Sequence, residues 1–237
     1  MRVYVQTLAG VHRNTQGQLA ATGFSRLGVE VVEFLDDEDL EDLTDEDLLI
    51  AGNSYTSRRI REVGGTPYTS AYPEELDGFY GKNLRRCDAS EIEQEDLPLF
   101  LRPADGTSFE PVIVFDERDM KASGVTGAVL ATEVVFYQST WRLFVRYGKA
   151  LALLPAEGDP GIVPDRDFVD RALATWSTAP KGAALDFGID AEGNTQLLRA
   201  RDAYVIPPLG LDARSYARLL SARWAEISGT VDPLAER

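Results

Sequence analysis

The sequence has few of the residues on which metal and nucleophile chemistry often depend. Its 237 residues include one cysteine and one histidine. The lone cysteine, Cys87, excludes an intrachain disulfide and favours a reducing cytoplasm, and we interpret it as structural. The lone histidine, His12, would have to serve any histidine-dependent triad. Its place in a predicted loop fits a surface residue or a minor substrate contact better than a catalytic base.

Long apolar runs and basic charge are also scarce. No run approaches eighteen apolar residues and no basic-then-apolar segment opens the chain, so we expect a soluble cytoplasmic protein. The sequence carries 39 acidic and 24 basic residues, a formal net charge of −15. Duplex DNA and anionic lipid need a clustered basic surface, so neither is an expected partner. The charge still allows one local basic pocket, or docking to a basic partner protein.

Phosphate-binding and metal-binding motifs are absent too. The sequence has no P-loop, no GxGxxG, no HExxH and no CxxC. Nine carboxylates fall within the twelve residues from Asp36 to Asp47, but without the spacing and glycine of an EF-hand. We interpret this run as a solvated amphipathic segment with Leu40 and Leu43 tucked in.

The remaining pattern predicts a mixed fold of helices and sheets. Strands and helices alternate up to about Leu84, which predicts a small α/β unit with a parallel sheet. The middle of the chain reads as an antiparallel stretch, with a hairpin turn around Gly148. Its predicted strands are Leu97–Ala104, Pro111–Phe115, Ala131–Gln138, Thr140–Gly148 and Lys149–Ala156. The last third predicts two helices, capped by Asp165 and Asp212, that frame a second hairpin.

This second hairpin brings opposite charges together. A four-residue loop over 191–194 makes Asp190 face Thr195 and Asp186 face Arg199. Arg199 and Arg201 are two apart and share one face of their strand. The opposite face then carries the apolar side chains, Leu185, Phe187, Leu198 and Ala200. The pattern alone leaves two interpretations open, namely a cross-strand ion pair and an anion or phosphate pocket.

Several collinear segments resemble one known family. They are "SAYPEEL", "FLRPA", "TWRLFVRYGKAL", "GDPGIVPDRDFVDRALATW", "ALDFGIDAEGNTQLLRARDAY" and "GLDARSYARLLSARWAEI". Together they resemble short ATP-grasp proteins, in particular the clade named for one arginine and two lysines. The resemblance implies an α+β ATP-grasp fold, with an N-terminal α/β domain over 1–90 and the central and C-terminal lobes over 91–237. It also implies ATP between the lobes, and a Mg²⁺-dependent reaction in which an amine attacks an acyl-phosphate.

Three segments ahead of the last hairpin depart from the family pattern. The family has a lysine in a strand close to Phe-Val-Lys-Pro, where this chain has Arg102 before Pro103. The family's second lysine and its Phe-Thr-Gly are replaced by the segment 107–111. The family's Ser-Glu-Trp-Arg becomes Ser-Thr-Trp-Arg, which loses the glutamate and keeps Arg142.

The strand that carries metal ligands in the family departs further from the family pattern in this chain. The family reads Glu-Val-Asn-Asp where this chain reads Arg199-Ala-Arg201-Asp. By the resemblance Asp186 alone remains as a metal ligand, and Arg142 and Asp186 are the catalytic candidates. Arginine has only donors and cannot ligate a cation, so Mg²⁺ is not expected in the usual site. By the resemblance, the hinge between the two lobes lies near the strand from Thr132 to Phe136. Its residues Glu133, Val135 and Phe136 are the candidates for contacting the adenine of ATP.

We therefore expect a diverged ATP-grasp homologue without metal-dependent ligase activity. It would bind an anionic ligand, either a nucleotide or a phosphate, through Arg102, Arg142, Arg199 and Arg201, or else bind a partner protein. The alternative is an active ATP-dependent carboxylate–amine ligase. In that case Arg102 and Arg142 would hold phosphates and Asp186 would hold one metal ion.

Overall fold

Three strands of the N-terminal sheet are parallel, as predicted, and a fourth, short strand is antiparallel. The structure is a computed structural model, and it describes residues 1–8, 10–12, 14–66, 70–81 and 83–235. The first elements are β1 (Val3–Leu8), β2 (Val11–His12), α1 (Thr15–Arg26), β3 (Val31–Phe34), β4 (Leu48–Ile50) and α2 (Asn53–Glu62). Strand β1 pairs in parallel with β3 on one side and β4 on the other, and the short β2 folds back on it. Helix α1 starts where the Asn14 side chain accepts the Gly17 N–H.

A second sheet is antiparallel and belongs to the middle of the chain. The next elements are β5 (Ser70–Ala71), β6 (Arg85–Asp88), β7 (Leu99–Pro103), β8 (Val112–Val114), α3 (Glu117–Ser123) and β9 (Ala128–Glu133). The sheet order is β6-β9-β7-β8. Its first strand, β6, precedes residue 91, and the division of the chain into domains at residue 90 stays a prediction.

The third sheet is also antiparallel and carries the last part of the chain. Its elements are β10 (Tyr137–Arg146), β11 (Lys149–Gly158), α4 (Arg166–Thr175), β12 (Gly182–Asp190), β13 (Thr195–Asp202) and α5 (Ala213–Ser228). The strand order is β11-β10-β12-β13-β5. The β10–β11 turn holds Tyr147 and Gly148 at positive φ, as expected for the predicted hairpin. The side chains of Asp165 and Asp212 cap α4 and α5 as predicted.

Short 3₁₀ segments connect these elements. They span Asp37–Leu40, Glu74–Phe79, Ala89–Glu91, Gln94–Asp96 and Ala203–Val205. The first lies in the acidic run, where Leu40 and Leu43 pack against the small core around Phe34, as predicted. Asp47, at the end of the run, is 2% exposed and paired with Arg2 at 2.8 Å. Its hydrogen bonds outweigh the effect of burial and lower the pKa of its carboxyl to about 2.

Two strand predictions need correction. The predicted strand Ala131–Gln138 is two strands, because β9 ends at Glu133 and β10 starts at Tyr137. The predicted register of the last hairpin holds at Asp186, which faces Arg199, but fails nearer the loop. A β-bulge between these points makes Thr195 face Ile189 instead of Asp190. As a result Leu197, not Leu198, joins the apolar side chains of the opposite face.

Helix α5 packs against both α1 and the third sheet. The core here contains Phe24 from α1, Phe144 and Ala184 from the sheet, and Tyr216 and Trp224 from α5. A second core lies on the other face of the sheet, under α4 and the segment 72–80. A third fills the second sheet on its α3 side. The third sheet is therefore buried between two apolar layers, which explains why every residue of β12 is buried.

We predict that Gly23→Ala destabilises the protein at the contact between α1 and α5. A methyl group at Gly23 would lie 1.9 Å from the Ala213 carbonyl oxygen, which is backbone and cannot swing aside. We expect a loss of about 3 kcal/mol in the free energy of unfolding, measured by urea denaturation. The matched control is Gly78→Ala, where a Cβ meets nothing within 4 Å. Equal stability of the two variants would contradict the prediction.

Candidate functional site

Asp186 lies at the centre of a buried charge cluster. Strand β12 places it between Arg142 of β10 and Arg199 of β13, which are its direct cross-strand partners. Asp186 is 5% exposed and Arg142 is 4% exposed. Arg142 donates from Nε to Oδ1 at 2.6 Å and from Nη2 to Oδ2 at 3.0 Å. This is the two-pronged pairing that guanidinium and carboxylate geometries favour.

Two further arginines reach the same carboxylate. Arg199 donates from Nε to Asp186 Oδ2 at 3.2 Å. The Nε of Arg201 lies 2.8 Å from Oδ2, but its N–H does not point at the oxygen, so this contact is an ion pair without a hydrogen bond. One carboxylate thus faces three guanidinium groups. The arginines outnumber the acid, and the cluster keeps a net positive charge.

The protonation states follow from this arrangement. Burial alone would raise the pKa of Asp186, but the hydrogen bonds from Arg142 and the charges of all three arginines lower it overall. Asp186 is therefore ionised at neutral pH. Burial lowers the pKa of Arg201, and the neighbouring Arg199 and Arg142 add to that effect while Asp186 opposes it. Both shifts reflect a cluster in which positive charge is crowded and acid is scarce.

The residues present do not fit the Mg²⁺ ion that the sequence resemblance implies. Mg²⁺ needs oxygen ligands, and both oxygens of Asp186 already accept from arginine. Asp202, on the same hairpin, is paired with Arg223 at 2.6 Å. Within the described residues no group of three or more His, Cys, Asp or Glu could hold a metal. At about 4 Å and a dielectric of 20, each unit of like charge opposes a cation by about 4 kcal/mol.

A cavity of about 220 Å³ adjoins the cluster. It lies between the second and third sheets, beside the bulge in β13. Its lining residues are Tyr72, Gly81, Phe100, Arg102, Pro111, Thr132, Tyr137, Leu197, Leu198 and Arg199. Arg199 belongs both to this lining and to the Asp186 cluster, so this side chain links the two features.

Arg102 is the buried cation of this cavity. It is 4% exposed, and its guanidinium carbon lies 5.0 to 5.5 Å from the ring centres of Tyr72, Phe100 and Tyr80. Its Nη1 donates to the Leu198 carbonyl at 3.0 Å. No carboxylate of the described chain forms a salt bridge with it, and burial lowers its pKa. Aromatic faces attract a cation, but they do not replace a counter-ion.

Tyr72 shows that the cavity and the cluster share one electrostatic field. Burial raises the pKa of its hydroxyl, and the positive charges of Arg102, Arg199 and Arg201 act in the opposite direction. Arg102, Arg199 and Arg201 therefore lie close enough to Tyr72 to act on it together, while the carboxylate of Glu110 acts on it with the opposite sign. In a chain with a net charge of −15, this is a local basic pocket of the kind that the composition left room for.

The segment that carries Tyr72 and Tyr80 is firmly attached. Glu75 accepts four hydrogen bonds, from the backbone N–H and hydroxyl groups of Ser177 and Thr178, at 2.5 to 3.0 Å. These contacts outweigh desolvation and lower the pKa of Glu75 to about 2. Asp77 pairs with Arg86 of β6 at 2.6 Å. The aromatic wall over Arg102 is thereby tied to β6 of the second sheet and to the loop between α4 and β12.

Comparison of the sequence with protein families gives one match, to "ATP-grasp domain, R2K clade family 2", over residues 79–219. The match spans more than half of the chain and includes Arg102 and the whole charge cluster. The chain belongs to this ATP-grasp family. Comparison with curated proteins gives no match.

Solved structures show the same fold. The ATP-grasp chain resembles D-alanine–D-alanine ligase from Bacillus anthracis complexed with ATP, at 13% identity and a TM-score of 0.54, with 96% of this chain and 97% of that chain covered. It resembles N5-carboxyaminoimidazole synthetase from Staphylococcus aureus at 13% identity and a TM-score of 0.60, covering 98% and 78%. It resembles a RimK domain ATP-grasp protein from Sphaerobacter thermophilus at 17% identity and a TM-score of 0.54, with 92% of this chain and 98% of that chain covered.

These comparisons confirm the predicted α+β ATP-grasp fold. The family binds ATP, and the fold is that of nucleotide-dependent ligases. None of the described helices is long and apolar enough to cross a membrane. The roles of individual residues in this ATP-grasp protein stay predictions, which the geometry above makes specific.

The adenine-side candidates lie apart from the charge cluster. Glu133 ends β9, is exposed, and accepts a hydrogen bond from the Asn83 side chain. Val135 and Phe136 lie in the irregular link to β10, and Phe136 is 77% exposed. Their flanking neighbours Thr132 and Tyr137 line the cavity instead.

Sequence reasoning missed the aromatic and polar wall of the cavity. Tyr72 lies in "SAYPEEL", which carried part of the family resemblance, but nothing in its spacing pointed to Arg102. Thr132 and Tyr137 bracket the hinge candidates and were hidden by the prediction of one continuous strand there. A break in the strand pattern at residues 134–136 would have been the one sequence signal that Thr132 and Tyr137 belong to different strands.

We predict that Asp186→Asn lowers the free energy of unfolding by about 3–5 kcal/mol at pH 7, because it leaves buried arginines unpaired. The folded pKa of Asp186 is depressed, so its contribution is present above about pH 4 and is lost as the pH falls through the folded value. The gap between wild type and variant should therefore shrink below about pH 4. Urea midpoints of wild type and Asp186→Asn, determined from pH 7 to pH 3, measure this difference in stability.

The control for this prediction is Asp170→Asn. Asp170 also pairs with an arginine, Arg166, at 3.0 Å, but both side chains are exposed. An exposed pair contributes little, within about 1 kcal/mol. A gap for Asp186→Asn that is no larger than that of the control would show that the cluster does not stabilise the fold.

Proposed function

We propose that this protein is a diverged ATP-grasp homologue that binds an anionic ligand, a nucleotide or another phosphate, between its second and third sheets, and that it does not catalyse metal-dependent ligation. The observation that carries the proposal is Arg102. It is a buried guanidinium in a cavity, without a carboxylate partner in the described chain.

The energetics of burial support this proposal. A buried charge is costly unless it is paired. Among the described residues, Arg102 contacts aromatic faces and donates to one carbonyl, with no carboxylate partner. A phosphate or carboxylate oxygen supplies the missing counter-charge and matches the planar donor fork of arginine. Arg199 stands at the same cavity and adds a second positive charge.

The same geometry argues against ligation. Forming an acyl-phosphate from ATP relies on a divalent ion that neutralises the developing phosphate charge. In this chain Asp186 is occupied by arginines, and the family's other two metal-strand positions are Arg199 and Arg201. The alternative, an active ligase with Arg142 on phosphate, would require Arg142 to leave a two-pronged pairing with Asp186.

The first test uses Arg102→Met, which keeps a flexible, unbranched stem and removes the guanidinium charge. ATP and inorganic phosphate should each raise the melting temperature of wild type in EDTA, because ligand binding to the folded state stabilises it. Arg102→Met should lose at least about nine-tenths of that shift, in line with the loss of a charge-assisted contact. The matched control is Arg26→Met at the exposed end of α1.

Two outcomes would contradict the proposal. One is a ligand-induced shift that Arg102→Met retains in full, since the anion would then bind elsewhere. The other is release of ADP by wild type when Mg²⁺·ATP is supplied with mixtures of amino acids and amines, followed by a coupled assay. The second result would favour the active ligase.

The second test restores family-like residues with Arg199→Glu and Arg201→Asn together. The change replaces two cations by oxygen ligands next to Asp186, so we expect Mg²⁺ to bind to this variant and not to wild type. Calorimetric titration of MgCl₂ measures the difference. Arg199→Gln with Arg201→Gln is the control that removes the charges without adding a carboxylate. Equal Mg²⁺ binding by wild type and the restored variant would contradict the assignment.

A further inference from the structure

The free polar atoms of the cavity are donors. Within the described residues, the buried Nε of Arg102 has no hydrogen-bond acceptor, and neither has the buried Nε2 of Gln196. Gln196 is 5% exposed. Buried polar atoms are nearly always satisfied in folded proteins, so two orphaned donors beside one cavity indicate that an acceptor is missing from the site.

Gln196 is held so that its amide nitrogen stays free. The Tyr137 hydroxyl donates to its Oε1 at 3.0 Å. The backbone of Gly81 approaches the same oxygen closely, which the absence of a side chain allows. A Cβ at Gly81 would lie 3.1 Å from Gln196 Oε1 and 3.7 Å from the Cβ of Thr132. Gly81, Thr132 and Tyr137 all line the cavity, so Gln196 borders it.

Arg199 completes the donor set. Its Nε is engaged by Asp186 at 3.2 Å, while its Nη atoms have no hydrogen-bond acceptor among the described residues. The side chain is 38% exposed and lines the same cavity as Arg102. Asp186 is already shared among three arginines, so it offers no free carboxylate to a cation that enters with a ligand.

We propose that this cavity takes the phosphate group of its ligand in the metal-free form, with Arg102, Arg199 and Gln196 donating to it, and that Mg²⁺ opposes binding. The inference rests on the proposed function and specifies the ligand class: a phosphate ester or polyphosphate that carries no divalent cation. Gln196 becomes a binding residue that neither the sequence pattern nor the family resemblance had pointed to.

The sign of the Mg²⁺ effect follows from the donors. A free phosphate offers every oxygen as an acceptor and brings its full negative charge to the guanidinium groups. A Mg²⁺ complex has lost much of that charge and carries a cation toward Arg142, Arg199 and Arg201, where like charges repel. Differential affinity for the two forms of the ligand therefore shifts binding toward the metal-free form.

The experiment is a calorimetric titration of ATP into the full-length protein, once in EDTA and once with MgCl₂ in excess, with KCl used to match ionic strength. We expect the affinity for ATP to fall about tenfold or more when Mg²⁺ is in excess. Sulfate, which complexes Mg²⁺ weakly, should bind equally in both buffers. ATP that binds as tightly or more tightly with Mg²⁺ overturns the inference.

Gln196→Glu tests the donor set at constant shape. Replacing the amide by a carboxylate puts a negative charge beside the phosphate, so ATP affinity in EDTA should fall about a hundredfold. The matched control is Gln138→Glu, the same change at an exposed position of β10, which should alter affinity by less than about twofold. Urea midpoints confirm that both variants fold. Unchanged affinity in Gln196→Glu removes Gln196 from the site and overturns the donor assignment.

The outcomes separate this inference from the proposed function. If neither ATP nor sulfate nor phosphate binds under either condition, the proposed function and the inference both fail. If ATP binding depends on Arg102 but is strengthened by Mg²⁺, the proposed anion site stands and the metal-free inference alone is overturned.

Discussion

The sharing of one buried carboxylate among three guanidinium groups governs the chemistry of this site. Asp186 lies on the central strand of a sheet that is buried on both faces, and its neighbours on either side supply Arg142 and Arg199. The pairing fixes the ionised state of Asp186 and leaves positive charge in excess. A cation therefore meets repulsion here, and an anion meets attraction. Both consequences follow from the same few contacts, whatever the ligand is.

The surrounding fold explains how the cluster is tolerated. The apolar layers above and below the third sheet exclude water, which strengthens the pairing of Asp186 with Arg142 and also raises the cost of each unpaired charge. Arg102 is accommodated differently, by three aromatic rings and a carbonyl at the bulge in β13. The site thus holds one cluster in which three guanidinium groups share a carboxylate, and one buried guanidinium that has no carboxylate partner among the described residues. That contrast is the physical basis for placing an anion in the cavity.

Membership of the ATP-grasp family and the geometry of the site support complementary statements. The family match establishes the association with ATP, and the solved structures show the same fold. They say little about the chemistry of this chain, because the solved relatives share 17% identity or less with it. The chemistry has to be argued from the side chains. There the exchange of acid and amide for Arg199 and Arg201 matters more than the preserved backbone, since arginine reverses the sign of the charge that the site prefers.

The resemblance of the sequence to a known family implied the ATP-grasp fold. The sequence patterns themselves determined the parallel and antiparallel halves, the helix caps at Asp165 and Asp212, and the facing of Asp186 and Arg199. These are local properties, set by residue periodicity, capping and hairpin geometry. Tertiary structure alone decided that Leu197 replaces Leu198 on the apolar face, that Arg201 joins the same carboxylate, and that Tyr72, Tyr80 and Gln196 surround Arg102. A bulge shifts register by one residue without a sequence signal, and contacts between distant segments depend on how the sheets pack, which no local pattern records.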